Sequence, residues 1–302
     1  MTAWVPGCYV LMENRSKRLE KVHVVIGHKS CDLDSLISAF TYAYFLDKVS
    51  PPGVLCLPVL NIPRTEFNYF TETKFILEEL NISESFHIFR DEINLHQLNN
   101  EGKLSITLVG GNVLARSISA GRYGKRQFKK PHETFICVGE EIKSFPKVRK
   151  RAISLSPPLL HLLYSEDKTL ESAVVKVISP VEQSDAGLEI PESSSSLVVR
   201  EILQEAPELI TEQLAHLLRG SILFKYMTME SKKISEKQEE ILCILEEKYP
   251  SLPPREDIIN VLQESQFSAQ GLSTEQAMLK DLKELSDGEI KVAISTVNMT
   301  LE

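Results

Sequence analysis

Lys21-Val-His-Val-Val-Ile-Gly27 runs straight into His28-Lys-Ser-Cys-Asp-Leu-Asp-Ser35, and Leu36 to Lys48 follows as LISAFTYAYFLDK. The first stretch is apolar, β-branched and closed by glycine, the pattern of a strand buried on both faces. The last carries apolar residues around most of its circumference, as a helix does when it lies buried on a sheet. A short polar loop joins them, so the unit is strand, loop, helix. Working outward, Val54 to Leu60 reads as a second strand, Thr73 to Leu80 as a helix, Phe86 to Phe89 as a short strand and Leu104 to Val109 (LSITLV) as a further buried one. Strands alternating with helices at this spacing predict an α/β fold with a doubly wound parallel sheet, whose ligands sit at the C-terminal strand ends. Two loops lie at such ends: His28 to Ser35, and Gly110-Gly-Asn112 after LSITLV.

A chain of 302 residues exceeds one typical core and points to two domains. With 42% hydrophobic and 25% charged residues the composition is that of an ordinary globular protein. No apolar run approaches the ~18 residues a membrane span needs, so no membrane association is expected. The N-terminal residues lack the h-region and cleavage site of a signal peptide, which places the chain in the cytoplasm as an expectation. Cys8, Cys31, Cys56, Cys137 and Cys243 are odd in number and form no CxxC pair, so they read as buried thiols and not as a disulfide framework or zinc site.

The net charge of −8 hides an uneven distribution. From Ala115 to Tyr164 eleven Lys/Arg stand against three Glu, a balance of +8 that leaves −16 for the rest. This basic segment lacks periodicity and reads as an insertion. Clustered Lys/Arg attract polyanions, but Tyr123, Phe128 and Phe135 are too sparse for a base-stacking platform, so nucleic acid is not the expected partner. Beyond it, a helix over Asp167 to Val177 is expected to lead into a short strand, and Glu192-Ser-Ser-Ser-Ser196 reads as a serine-capped helix entry. Helices over Thr211 to Gly220 and Ser235 to Lys248 flank Ile222 to Met229, and a helix over Thr274 to Leu285 and a strand over Lys291 to Val297 close the chain.

His28, Asp32 and Asp34 crowd into one turn, where neighbouring carboxylates repel unless a proton or a metal intervenes. Mixed oxygen and imidazole donors suit manganese, with magnesium or iron as alternatives. The same loop also reads as a helix cap, with Asp34 or Ser35 in the N-cap position. The residues alone leave both readings open.

GHKSCDLDS at the end of VHVVIG resembles the first motif of the DHH phosphoesterases, a superfamily that includes manganese-dependent family II (class C) inorganic pyrophosphatases and exopolyphosphatases. CDLDS, PVLNIPRTEF, FRDEINLHQL, EILQEAPELI and GLSTEQAMLKDLKE look like its prune subfamily, and the likeness covers most of the chain outside residues 1–20 and the basic segment. The resemblance implies an N-terminal extension (1–20), a DHH domain (21–230) interrupted by the basic insertion (115–164), and a smaller α/β DHHA2 domain (231–302) expected to be truncated after one strand.

Four motifs hold two metal ions in that superfamily. The first implies metal positions at His28, Asp32 and Asp34. The second is the DHH triplet, and the matching positions here are Gly110, Gly111 and Asn112. The third falls near Ser179, no ligand of comparable strength, and the fourth, expected after a strand SILF, is Lys225. An ammonium there would repel a dication and is expected to pair with Asp32 or Asp34. Lys280 and Lys283, in KDLK, match a phosphate-binding stretch in which Leu279 replaces an arginine. What the resemblance implies is a degenerate scaffold: non-catalytic, holding neither Mn nor Mg tightly, and acting through an unidentified protein partner or weak phosphate or polyphosphate binding in cell growth and survival. The alternative is a weak metal-dependent pyrophosphatase or exopolyphosphatase with one ion on the first motif.

Overall fold

The computed structural model of the chain describes residues 20–28, 30–79, 82–84, 87–111, 136–137, 168–179, 192–228, 234–267, 283–286 and 291–295. Its strands are β1 (Lys21–Ile26), β2 (Val54–Leu60), β3 (Ile88–Phe89), β4 (Leu104–Val109), β5 (Ile136–Cys137), β6 (Val174–Ile178), β7 (Lys283–Ser286) and β8 (Lys291–Ser295). Its α-helices are α1 (Leu33–Val49), α2 (Thr71–Glu79), α3 (Leu95–Asn100), α4 (Ser194–Glu205), α5 (Glu212–Thr228), α6 (Glu236–Lys248) and α7 (Arg255–Phe267). The described residues fall into two units, one within Met1–Ser117 and Glu166–Ser268 and the other within Ile118–Ser165 and Ala269–Glu302.

The first unit is the α/β fold that the alternation of strands and helices predicts. Its sheet runs β3-β2-β1-β4-β6, parallel at every pairing. Central β1 is apolar on both faces because helices cover both: Val25 joins one core with α1, α4 and α5, while Val22, Val24 and Ile26 join another with Leu95 of α3. Twelve residues of α1 are buried, which follows from its place between β2 and the helices α4 and α5. Ile26 pairs with both Val59 and Leu108, and Val109 pairs with Ile178. The strands therefore end level, and the loops after β1, β4 and β6 leave from one edge of the sheet.

Three expectations are corrected. SILF is not a strand: α5 runs unbroken from Glu212 to Thr228, because Leu214, Leu217, Leu218, Ser221, Ile222 and Phe224 are buried at helical spacing. The helix expected from Asp167 is a 3-10 helix, Lys168–Ala173, that yields at Val174 to β6, where the β-branched run VVKVI favours a strand. Lys283 to Leu285 belong not to a helix but to β7, which pairs antiparallel with β8; residues 268–282 lie outside the described set. The second unit thus has two strands near the chain's end, and a third comes from the basic segment, where β5 pairs parallel with β8.

In the first unit Phe40, Phe67 and Phe89 surround His87, which stacks on Phe40 with ring centroids 5.3 Å apart. Both ring nitrogens of His87 are buried without a hydrogen-bond partner among the described residues. Burial pushes the imidazole down from its ordinary 6.5 to about 4, helped by the Arg64 charge and opposed by Glu84. The unfolded chain takes up this proton near 6.5 and the folded chain only near 4, so between those values the unfolded state binds more protons and is favoured as pH falls. His87 should therefore remove about 3 kcal/mol of stability between pH 6.5 and 4. Urea melts across this range should show a loss that His87→Phe largely abolishes; an unchanged pH slope in that variant would rule the assignment out.

Candidate functional site

The loop after β1 is built for close approach. A Cβ on Gly27 would lie 2.7 Å from Ser35 Oγ, so glycine is what lets the strand end meet the start of α1. The chain then reverses: Cys31 N–H donates to the His28 carbonyl at 3.1 Å, and Cys31 adopts a left-handed φ of 46°. Asp32, and neither Asp34 nor Ser35, is the N-cap of α1, its Oδ1 accepting from Ser35 N–H at 2.8 Å. Its Oδ2 accepts from Ser30 Oγ at 3.0 Å, and Ser30 Oγ also lies 2.8 Å from His28 Nδ1.

Asp34 turns away from this surface. It is 2% exposed, and its carboxylate spans the N-terminus of α4: Oδ2 accepts from Ser194 N–H at 2.8 Å and Oδ1 from Ser195 N–H at 2.9 Å. Ser221 Oγ of α5 donates to Oδ1 at 3.2 Å, and Ser195 Oγ lies 2.6 Å from Ser221 Oγ and 2.9 Å from Ser38 Oγ. Burial raises the Asp34 carboxyl above the ordinary range and the Asp32 charge adds to this, while the amides of Ser194 and Ser195 and the Lys225 charge act against them. A helix N-terminus carries about half a positive charge, which is why a carboxylate is held there.

Lys225 sits in the last turn of α5, not at a strand end, and its Nζ lies 4.0 Å from Asp32 Oδ2 with both side chains about one-third exposed. Gly110 follows β4 with φ 82° and donates its N–H to the Ile178 carbonyl at 2.8 Å. A Cβ on Gly110 would lie 3.3 Å from Ser194 Oγ, and one on Gly111 would lie 2.5 Å from His28 Cδ2. The His28 ring therefore occupies space that a side chain at 111 would need. Ser179 follows β6 at the same sheet edge, and Asn112 lies outside the described residues. Lys283 opens β7 of the second unit, and Lys280 is also outside the described residues.

A hard dication needs several carboxylate oxygens that can converge on it. Asp34 is buried with its oxygens turned to Ser194 N–H, Ser195 N–H and Ser221 Oγ, Asp32 faces the Lys225 ammonium, and Gly110 and Gly111 bring no side chain. Among the described residues no three His, Cys, Asp or Glu side chains converge as a metal cluster. The residues do not fit a two-metal centre. The serine set around Asp34 was not legible as a site: Ser194 and Ser195 read only as a helix entry, and their partner lies 160 and 161 residues away.

If Asp34 anchors α4, Asp34→Ala leaves two buried amides unpaired and should cost about 3–5 kcal/mol. Lys225→Ala breaks a half-solvated pair and should cost less than about 1 kcal/mol. Urea midpoints compare the two; equal losses would refute the anchor.

No protein-family profile matches the chain. The chain is 68% identical over 289 residues to protein prune homolog 2 of Mus musculus, covering 96% of this chain and 8% of that protein. It is 33% identical over 312 residues to exopolyphosphatase PRUNE1 of Homo sapiens, covering all of this chain and 57% of the relative. A Methanococcus jannaschii protein assigned as a family II inorganic pyrophosphatase superposes with a TM-score of 0.50 at 18% identity, over 91% of this chain and 71% of that one, a likeness of fold. The chain thus spans a small part of the first relative and just over half of the second. A parallel sheet with its motif loops at one edge, that shared fold and these identities together make the chain a prune-type member of the DHH phosphoesterase superfamily.

Proposed function

We propose that this chain is a degenerate prune-type DHH scaffold that has given up phosphoanhydride hydrolysis and works by binding, with phosphate or polyphosphate as a weak ligand. One observation carries the reading: Asp34, at a family metal position, is consumed as the anionic anchor of α4. A carboxylate so bound is buried, and turning it toward a surface cation would release two buried helix amides, each costly to leave unpaired. Gly110 and Gly111 support the same reading, since the second motif's side chains are missing. The names of the exopolyphosphatase relatives motivate the ligand class, and protein contacts, in the cytoplasm and in the control of cell growth and survival, complete the proposal.

The rival is weak hydrolysis assisted by one manganese or magnesium ion. It is favoured by 33% identity to proteins named exopolyphosphatases and by the surface position of His28 and Asp32. A single cation at those two residues would polarise a phosphate oxygen, but the described residues offer it no bridging second site.

The purified chain should release no more phosphate from pyrophosphate or short polyphosphate with Mn²⁺ than with chelator. Release above that control, lost in Asp32→Ala, would overturn the reading in favour of the one-metal enzyme.

A further inference from the structure

We infer that Lys225 serves as a built-in counter-charge in place of a divalent cation, so that the first motif is neutralised by the protein and excludes metal. The inference rests on the degenerate-scaffold reading and adds a cause for it. Residues 221 and 225 are one helical turn apart on α5 and share a face. From that face Ser221 Oγ donates to Asp34, and Lys225 Nζ stands 4.0 Å from Asp32. One helix therefore answers both carboxylates, with a hydroxyl for the buried one and an ammonium for the half-exposed one.

The protein sets positive charge against both carboxylates: the Lys225 ammonium faces Asp32, and the N-terminus of α4, worth about half a positive charge, faces Asp34. A dication gains little from carboxylates so countered, and it would have to displace or sit against an ammonium of its own sign. The last turn of α5 adds a tether: Ile222, Leu223 and Phe224 are buried, so the helix cannot swing Lys225 away without exposing them.

Removing the ammonium should therefore open a metal site that the parent lacks. Lys225→Asp would replace the ammonium by a carboxylate on the helical turn that faces Asp32, adding an oxygen donor of the type that holds Mn²⁺ to that side of the first motif. Thermal melts of the full chain with millimolar MnCl₂ or with EDTA give the readout. The parent should melt at the same temperature in both, whereas Lys225→Asp should rise by about 3 °C or more with Mn²⁺. The rise should vanish on adding EDTA, and also when Asp32→Asn is introduced. A parent stabilised by Mn²⁺ as much as the variant, or a folded variant with no response, overturns the inference. Should Lys225→Asp fail to fold, Mn²⁺ titration of Lys225→Gln by calorimetry decides: at least tenfold tighter binding than the parent is expected, and equal affinity overturns it. Mn²⁺ binding by the parent without phosphate release would sink this inference and leave the non-catalytic reading intact. Phosphate release by the parent would sink that reading.

Discussion

The fold turns on a carboxylate held by two amides. Asp34, in the first turn of α1, bridges the N–H groups of Ser194 and Ser195 and so ties the helix after the first strand to a helix that begins 160 residues later. Helix N-termini leave amides unsatisfied, and a buried one must find an acceptor. Here the acceptor is a side chain from a different crossover, so docking α4 on α1 satisfies the amides that open α4. Ser38, Ser195 and Ser221 extend the contact into a buried hydroxyl chain that joins α1, α4 and α5. This polar knot sits inside the apolar core that the three helices share over one face of the sheet.

That knot gives both carboxylates of the first loop work that needs no cation. Asp32 caps α1 and Asp34 anchors α4, so both carboxylates have structural duties whatever the cation does. Gly110 and Gly111 carry no such duty beyond the space they free: the left-handed φ of Gly110 and the His28 ring over Gly111 suit residues without a Cβ.

Much of this was legible in the sequence. VHVVIG, VLCLPVL and LSITLV read as buried parallel strands because β-branched runs bounded by glycine or polar loops have few other uses, and all three are found. The first-motif loop and the glycines after LSITLV also fall at the same sheet edge, as the strand alternation implied. Other features were hidden for physical reasons. SILF suits a strand or a buried helix equally, and only the flanking burial pattern separates them. Local propensity shows that Ser193 to Ser196 begin a helix but not which distant anion they meet. The N-cap at Asp32, not Asp34, was likewise set by which carboxylate the tertiary contact had claimed.

The pairing of β5 with β8 bears on the order in which the protein takes shape. Ile136 lies beside Ile294, 158 residues further along the chain. At ordinary translation speeds β5 leaves the ribosome on the order of ten to thirty seconds before its partner exists. The first unit has the opposite timing for its earliest pairs, since β1 and β2 follow one another closely and begin the sheet as local contacts. The second unit is thus a late, non-local addition, and a chain released before Lys291 would leave the basic segment with no strand to join.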